Sequence, residues 1–329
     1  MPIHQNQTSK EDARLVSFII PVHNVPPGML CECLDSILAL SLREYEREII
    51  VVDDGSDTSP LTWLADYLDQ IVYVRQRNGG LGQARNRGLA NACGTYIQFI
   101  DGDDALIAPM YEHCLDMVRF QQPDMVMYDF SRKKSGAKEY NDLPAISGKE
   151  LMRHHNIKAT ACCYLFRAAL LGTLRFTPGI YHEDEEFTPL LLLRAETIVQ
   201  TDAAAYYYRP RQASITTDKD VRRTLKRLGD LKSIIFRLYA LADIMPGSER
   251  LALLRRVHQL TMDYIYKVIV GTRSMHYLNR QLDSLSRQGL FPLPDRDYTS
   301  KYKWFRRLTN SKIGLAFLMR TLPLIKSER

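Results

Sequence analysis

Ile97-Gln98-Phe99-Ile100-Asp101-Gly102-Asp103-Asp104-Ala105 decides how this chain is read. An apolar, strand-like run breaks into three carboxylates within four residues. Carboxylates crowded at a strand end repel one another unless a positive partner joins them. A hard divalent cation, which takes oxygen ligands, is the natural partner. A second apolar run ends the same way, in Ile49-Ile50-Val51-Val52-Asp53-Asp54-Gly55-Ser56-Asp57. Two acidic strand ends in one α/β unit point to a site for a metal-bound diphosphate.

Working outward, residues 16 to 130 alternate strand and helix patterns. Strands are expected at Val16–Ile20, Glu48–Val52, Ile71–Val74, Tyr96–Ile100 and Met125–Tyr128. Helices are expected at Met29–Leu40, where Leu30, Leu34, Ile37 and Leu38 recur at three- and four-residue steps, and at Leu61–Leu68, Leu81–Ala92 and Met110–Phe120. Continuous apolar strands suit a parallel sheet covered on both faces, and such sheets bind ligands beyond their carboxyl ends. Both acidic clusters lie there. The polar stretch Ser131–Lys149 reads as a surface excursion, and Ala159–Arg209 as a return to mixed structure. From Asp218 the pattern is helical, over Val221–Ile244, Glu249–Val270 and Met275–Gln288, followed by a linker, Gly289–Thr299.

The chain has 329 residues, 45% hydrophobic and 25% charged, which suits a globular protein with a sizeable core. A net charge of +6 favours anionic partners only weakly. Six cysteines without Cys-x-x-Cys spacing argue against a zinc site. The polar Met1–Arg14 arm lacks an apolar signal core, and no run of about 18 apolar residues occurs. A cytoplasmic protein is expected.

Five segments, in order, carry a family resemblance. They are Val16-Ser17-Phe18-Ile19-Ile20-Pro21-Val22-His23-Asn24, Val51–Asp57, Asn78-Gly79-Gly80-Leu81-Gly82-Gln83-Ala84-Arg85, Asp101-Gly102-Asp103, and Tyr181-His182-Glu183-Asp184-Glu185-Glu186-Phe187. Together they resemble family 2 glycosyltransferases, over roughly residues 15 to 215. The resemblance implies a GT-A-like, Rossmann-like α/β fold: a mostly parallel central sheet flanked by helices, with a helical C-terminal extension. It divides the chain into a polar arm (1–14), a GT-A domain (15–217), a helical region (218–300) and a basic amphipathic tail (301–329).

The implied reaction is metal-dependent transfer of a sugar, with inversion, from a nucleoside diphosphate sugar to an acceptor hydroxyl. A UDP-sugar is the expected donor, and a glycan or lipid-linked saccharide the acceptor. No nucleic acid partner is expected. Asp53 and Asp54 suit base or ribose contacts, and Gly55 and Ser56 permit the turn. Pro21, His23, Asn24, Gly80, Arg85, Gly102 and Arg209 complete the expected nucleotide-sugar set, with Arg211 an alternative to Arg209. Asp103, Asp104 and Asp101 are the expected ligands for Mn²⁺ or Mg²⁺, which would neutralise charge on the leaving group. The resemblance assigns Asp184 as general base, with Glu183 orienting it or the acceptor.

Three other functions compete for these motifs. Gly80-Leu81-Gly82-Gln83-Ala84-Arg85 partly matches a dinucleotide fingerprint, but Arg85 replaces its third glycine and the segment follows the third strand. A nucleotidyltransferase would want a phosphate-gripping basic segment near the first strand. A catalytically silent sugar-nucleotide-binding or assembly subunit is the rival from another class. In the tail, Trp304, Phe305, Ile313 and Phe317 alternate with cations. That pattern suits either an anionic membrane surface, on the cytoplasmic face, or a helix docked on the protein itself, with Gly314 and Pro323 interrupting it.

Overall fold

The computed structural model describes residues 14–134, 139–210 and 220–327, with side chains to 324. The polar arm up to residue 13 and Arg211 lie outside the described residues. The chain divides into two compact units.

The first unit comprises the chain up to Ile146, Thr160–Gly179 and the stretch from Arg194. Its strands are β1 (Val16–Val22), β2 (Arg47–Asp53), β3 (Ile71–Arg75), β4 (Tyr96–Phe99), β5 (Ala105–Leu106), β6 (Met125–Ser131), β7 (Asp142–Ile146), β8 (Tyr164–Arg167) and β9 (Ile198–Tyr207). They form one sheet in the order β3-β2-β1-β4-β8-β6-β9-β5, with β7 paired to β9. Strands β3, β2, β1 and β4 run parallel, whereas β8 is antiparallel to both β4 and β6. The first four are apolar and buried nearly throughout, apart from β3, which closes the edge.

Register decides what this half-sheet does. Val22 lies opposite Asp53, Asp53 opposite Arg75, and Ile19 opposite Phe99. Parallel strands in that register deliver His23, Asp54, Gln76 and the Asp101 loop to one edge of the sheet. The helices of this unit are α1 (Pro27–Leu38), α2 (Leu81–Leu89) and α3 (Ala108–Gln121). Helix α2 packs on β1 and β2, and α3 on β6 and β9.

Two local expectations differ from the structure. Leu61–Leu68 is not an α-helix but two short 3₁₀ turns, Pro60–Trp63 and Ala65–Gln70. Only Leu64 between them is buried, while Leu61 and Leu68 face solvent, so no apolar stripe pulls the segment into a longer helix. Within Ser131–Lys149, β7 adds a strand beside β9.

The second unit comprises Ser147–Ala159, Ile180–Leu193 and the chain from Asp220 on. It therefore takes two segments out of the expected 15–217 domain. The reason is packing. Helix α4 (Gly148–His154) packs on α7 (Gly247–Thr272), and α5 (Asp184–Leu192) packs on α4 and on α6 (Val221–Asp243). Helix α7 is the hub: α8 (Met275–Arg287), α9 (Ser300–Thr309) and α10 (Lys312–Ser327) also pack on it. Its buried residues, including Leu253, Val257, Leu260, Tyr264 and Val268, recur at steps of three and four. Side chains of Ser147, Asp220, Ser274 and Thr299 cap α4, α6, α8 and α9 by accepting a backbone N–H. Helix α10 runs through both Gly314 and Pro323. The Gly314 N–H, in the first turn, is satisfied by the Ser311 hydroxyl at 2.9 Å.

Candidate active site

The loop after β2 is built by its own acids. Asp53 is fully buried and accepts the Ser56 N–H (2.8 Å) and the Tyr73 hydroxyl (2.8 Å), with Arg75 Nε 3.4 Å away. Asp54, 4% exposed, accepts Gln76 Nε2, the Gly79 N–H and the Gly80 N–H, each at 2.8 Å. Gly55 turns the chain at φ +70°, and a Cβ there would meet the Asn78 backbone N at 2.8 Å. Both carboxylates thus spend most of their acceptor capacity on the protein. The sequence expectation had them facing a base or ribose; in the structure their visible work is to lock the β2 loop to the segment ahead of α2.

The loop after β1 is tied to the same frame. Asn24 takes a left-handed φ of +52°. Its amide Nδ2 donates to Asp57 (3.0 Å), and its Oδ1 accepts the Asp57 N–H (2.9 Å). Its own N–H reaches the Ser56 hydroxyl at 3.0 Å. His23 Nδ1 lies 3.1 Å from the Asp54 carbonyl oxygen, and Asn78 Nδ2 lies 3.3 Å from the ring. Between the two loops opens a cleft of about 310 Å³, lined in part by Val25, Pro27, Asp57, Pro60 and Trp63. Asp57 belongs to the Val51–Asp57 segment but has no expected site role there, and Trp63 has none either. Trp63 lies in Leu61–Leu68, where 3₁₀ turns replace the expected helix.

The Asp101–Asp104 loop divides into inward and outward acids. Gly102 sits against β1, where a Cβ would lie 3.1 Å from Val22 Cγ2 and 3.3 Å from the Pro21 carbonyl oxygen. Asp104, 2% exposed, turns inward and accepts the Arg209 N–H and the Tyr206 hydroxyl, both at 2.8 Å. Burial, reinforced by the charges of Asp101 and Asp103, lifts its pKa to about 7. The oxygens of Asp104, the third expected ligand, fasten the end of β9 to the loop. Asp101 keeps 33% of its side chain exposed while accepting Arg85 Nη2 at 3.0 Å. Asp103 is half-buried.

The two arginines also differ from expectation. Arg85 is 3% exposed, and its guanidinium lies over the rings of Phe99 (5.7 Å) and Phe176 (5.4 Å). Held between aromatic faces, it is aimed at Asp101 from inside the protein. Arg209 Nε donates to the Asp103 carbonyl oxygen at 2.7 Å, and its other end pairs with Glu32. It braces the loop backbone.

Among the described residues, no group of three or more His, Cys, Asp or Glu side chains converges as a ready-made metal site. The half-buried pair Asp101 and Asp103 fits a different arrangement. Mg²⁺-type ions are commonly held by one or two carboxylates together with substrate phosphates.

The acidic segment of the second unit opens α5. His182, at φ +63°, turns the chain into Glu183, the N-cap residue, and Asp184 begins the helix. Glu183 is buried and Asp184 half-buried. The carboxylates lie in the first turn, where the helix dipole favours negative charge. Burial, with Lys267 nearby, pushes the His182 pKa down to about 4.

The sequence profile described as Glycosyl transferase family 2 matches residues 17–171. This stretch is a family 2 glycosyltransferase domain. Relatives agree. The uncharacterized glycosyltransferase EpsJ of Bacillus subtilis is 32% identical over 219 residues, covering 61% of this chain and 63% of EpsJ. The poly(ribitol-phosphate) beta-glucosyltransferase of Bacillus spizizenii is 27% identical over 230 residues, covering 67% of this chain and 34% of that protein. The chain thus spans less than two thirds of the length of these relatives. The glycosyltransferase fold is shared more widely. Staphylococcus aureus TarS 1-349, solved with UDP-GlcNAc, superposes with a TM-score of 0.65 at 18% identity, covering 95% of this chain and 92% of that one. Mannosyltransferase PcManGT of Pyrobaculum calidifontis, solved with GDP-Man and Mn²⁺, gives 0.56 at 14% identity, covering 96% and 86%. The α/β fold with its helical C-terminal region is therefore that of a GT-A-like glycosyltransferase.

Proposed function

We propose that this enzyme moves a sugar from a UDP-sugar to an acceptor hydroxyl, with inversion, during assembly of a surface polysaccharide or related glycoconjugate. The observation that carries the reading is the shared edge of β1, β2 and β4, where the β1 and β2 loops frame a cleft and Asp101 and Asp103 remain accessible. The uracil base occupies the 310 Å³ cleft, with Trp63 as an apolar wall and Asp57 as an acceptor. Asp101 and Asp103 hold Mn²⁺ or Mg²⁺ jointly with the diphosphate. When bound, that ion supplies positive charge to the departing nucleoside diphosphate.

Asp184 accepts the proton of the acceptor hydroxyl, and the buried Glu183 orients it. The expected donor-binding residues lie in the first unit, and Asp184 and Glu183 lie in the second. The acceptor is a glycan or a lipid-linked saccharide, met at the cytoplasmic face of a membrane.

Relatives with polymer-directed names support the acceptor class, and TarS, whose structure carries UDP-GlcNAc, supports a uridine donor. A thermal-shift panel of UDP, GDP, CDP and their sugars, with and without Mn²⁺, tests the reading. UDP and one UDP-sugar should raise Tm most, and only with metal. A response to guanosine or cytidine nucleotides alone would refute the donor class.

A further inference from the structure

Helices α9 and α10 settle on the second unit by one side only. Tyr302, Phe305 and Thr309 of α9 and Leu318 of α10 are buried. On the side of α9 away from these residues stands Trp304, 51% exposed. On the side of α10 away from Leu318, Ile313 (86% exposed), Phe317 (50%), Arg320 and Leu324 (66%) recur at steps of four, three and four. That spacing places them in one stripe.

Charge distinguishes this face from an ordinary protein contact. Ser300–Ser327 contains no Asp or Glu and carries Lys301, Lys303, Arg306, Arg307, Lys312, Arg320 and Lys326. Lys303 and Arg306 pair with Asp297 and Asp295 in the preceding linker. Arg307, Lys312 and Arg320 show no ion pair among the described residues. A membrane interface combines apolar and aromatic side chains with cations whose stems reach along the apolar surface and whose heads meet lipid phosphates, with no acidic partner needed. Among the described residues no helix is long and apolar enough to cross a membrane, so the helices would lie along the surface.

We propose that the outer face of α9 and α10 is a docking surface for an anionic lipid bilayer. Trp304, Ile313 and Phe317 enter the headgroup region, and Arg307, Lys312 and Arg320 contact lipid phosphates. The inference deepens the membrane-face location proposed above and rests on that part of the reading alone. It does not depend on the transfer chemistry. It also removes the choice between a docked tail and a membrane tail, because the two sides of the same helices do both.

The test is sedimentation of the full chain with vesicles of phosphatidylglycerol and phosphatidylcholine, one to one, against phosphatidylcholine alone. At low salt the protein should prefer the anionic vesicles by on the order of a hundredfold, from three cations near the surface. High salt should erase most of that preference. The triple variant Arg307→Gln, Lys312→Gln, Arg320→Gln should abolish it. The double variant Trp304→Ser, Phe317→Ser should weaken binding at least about tenfold while Tm holds, since both side chains are half exposed.

Equal partitioning of wild-type protein between the two vesicle types at low salt overturns the proposal. So does wild-type-like binding by the triple variant. A wild-type dimer that Phe317→Ser splits would make the face a contact between copies instead. The uridine-nucleotide Tm response of the same variants, unchanged in every case, separates failure here from failure of the donor assignment.

Discussion

Arg256 of α7, only 4% exposed at its side chain, forms an ion pair with Glu185 of α5. It is not alone in gripping the acidic segment. Arg237 of α6 takes Glu186 with two donors, Nε at 2.6 Å and Nη2 at 2.9 Å, and Asp230 accepts the Tyr181 N–H at 2.9 Å. The helical unit therefore holds the flanks of the segment on which the proposed base sits.

Removing one partner of a buried ion pair leaves the other charge uncompensated. Arg256→Met should lower stability by about 3 kcal/mol, read from urea unfolding. Adding Glu185→Gln to that variant should recover a large part of the loss. If the double variant is as unstable as the sum of its singles, the two residues are not energetically coupled.

Asp54 makes a different prediction. Its two oxygens accept three N–H groups, so Asp54→Asn presents an amide to a backbone donor and leaves an N–H unpaired in a buried place. The cost is about 1–3 kcal/mol, localised in the loop ahead of α2. UDP affinity should fall about tenfold or more, and hydrogen exchange at Gly79 and Gly80 should quicken. Calorimetry and exchange on the same sample decide it; unchanged exchange with unchanged affinity contradicts the structural role.

Two histidines give the helical unit a pH dependence. His258 stacks on Tyr298 and, like His182, is held neutral by burial, with a folded pKa of about 4 against an ordinary 6.5. Because the folded values lie below the unfolded one, the stability these groups contribute is present above pH 6.5. It is lost as pH falls through 6.5 toward 4. The loss amounts to at most about 3 kcal/mol for each histidine. His258→Phe keeps the stacking ring and should flatten this limb in unfolding measured between pH 4 and 7. An identical slope in the variant would show that His258 does not carry it.

Most of the parallel half-sheet was legible because continuous apolar runs such as Ile49–Val52 have one physical home, a strand covered on both faces. The motif order gave the family. What the sequence could not carry was pairing at a distance. Arg85 and Arg209 are cationic and motif-borne, which suggests phosphate; only the fold shows one sandwiched between Phe99 and Phe176 and the other bracing a carbonyl 106 residues away. Asp103 and Asp104 are adjacent and alike in sequence. Tyr206, brought beside Asp104 by β9, turns that acid inward. The transfer of Ser147–Ala159 and Ile180–Leu193 to the helical unit was likewise invisible, because it depends on a carpet of contacts with α6 and α7 rather than on local pattern.

The most direct test of the central claim is UDP release from a panel of UDP-sugars, with Mn²⁺ or Mg²⁺ and candidate glycan acceptors, by wild-type protein, Asp103→Asn and Asp184→Asn. Release by the wild type should depend on the metal. Asp103→Asn should lose the metal response. Asp184→Asn should bind UDP as the wild type does while turning over on the order of 10²–10⁴-fold more slowly. Metal-independent release that survives both substitutions would contradict it.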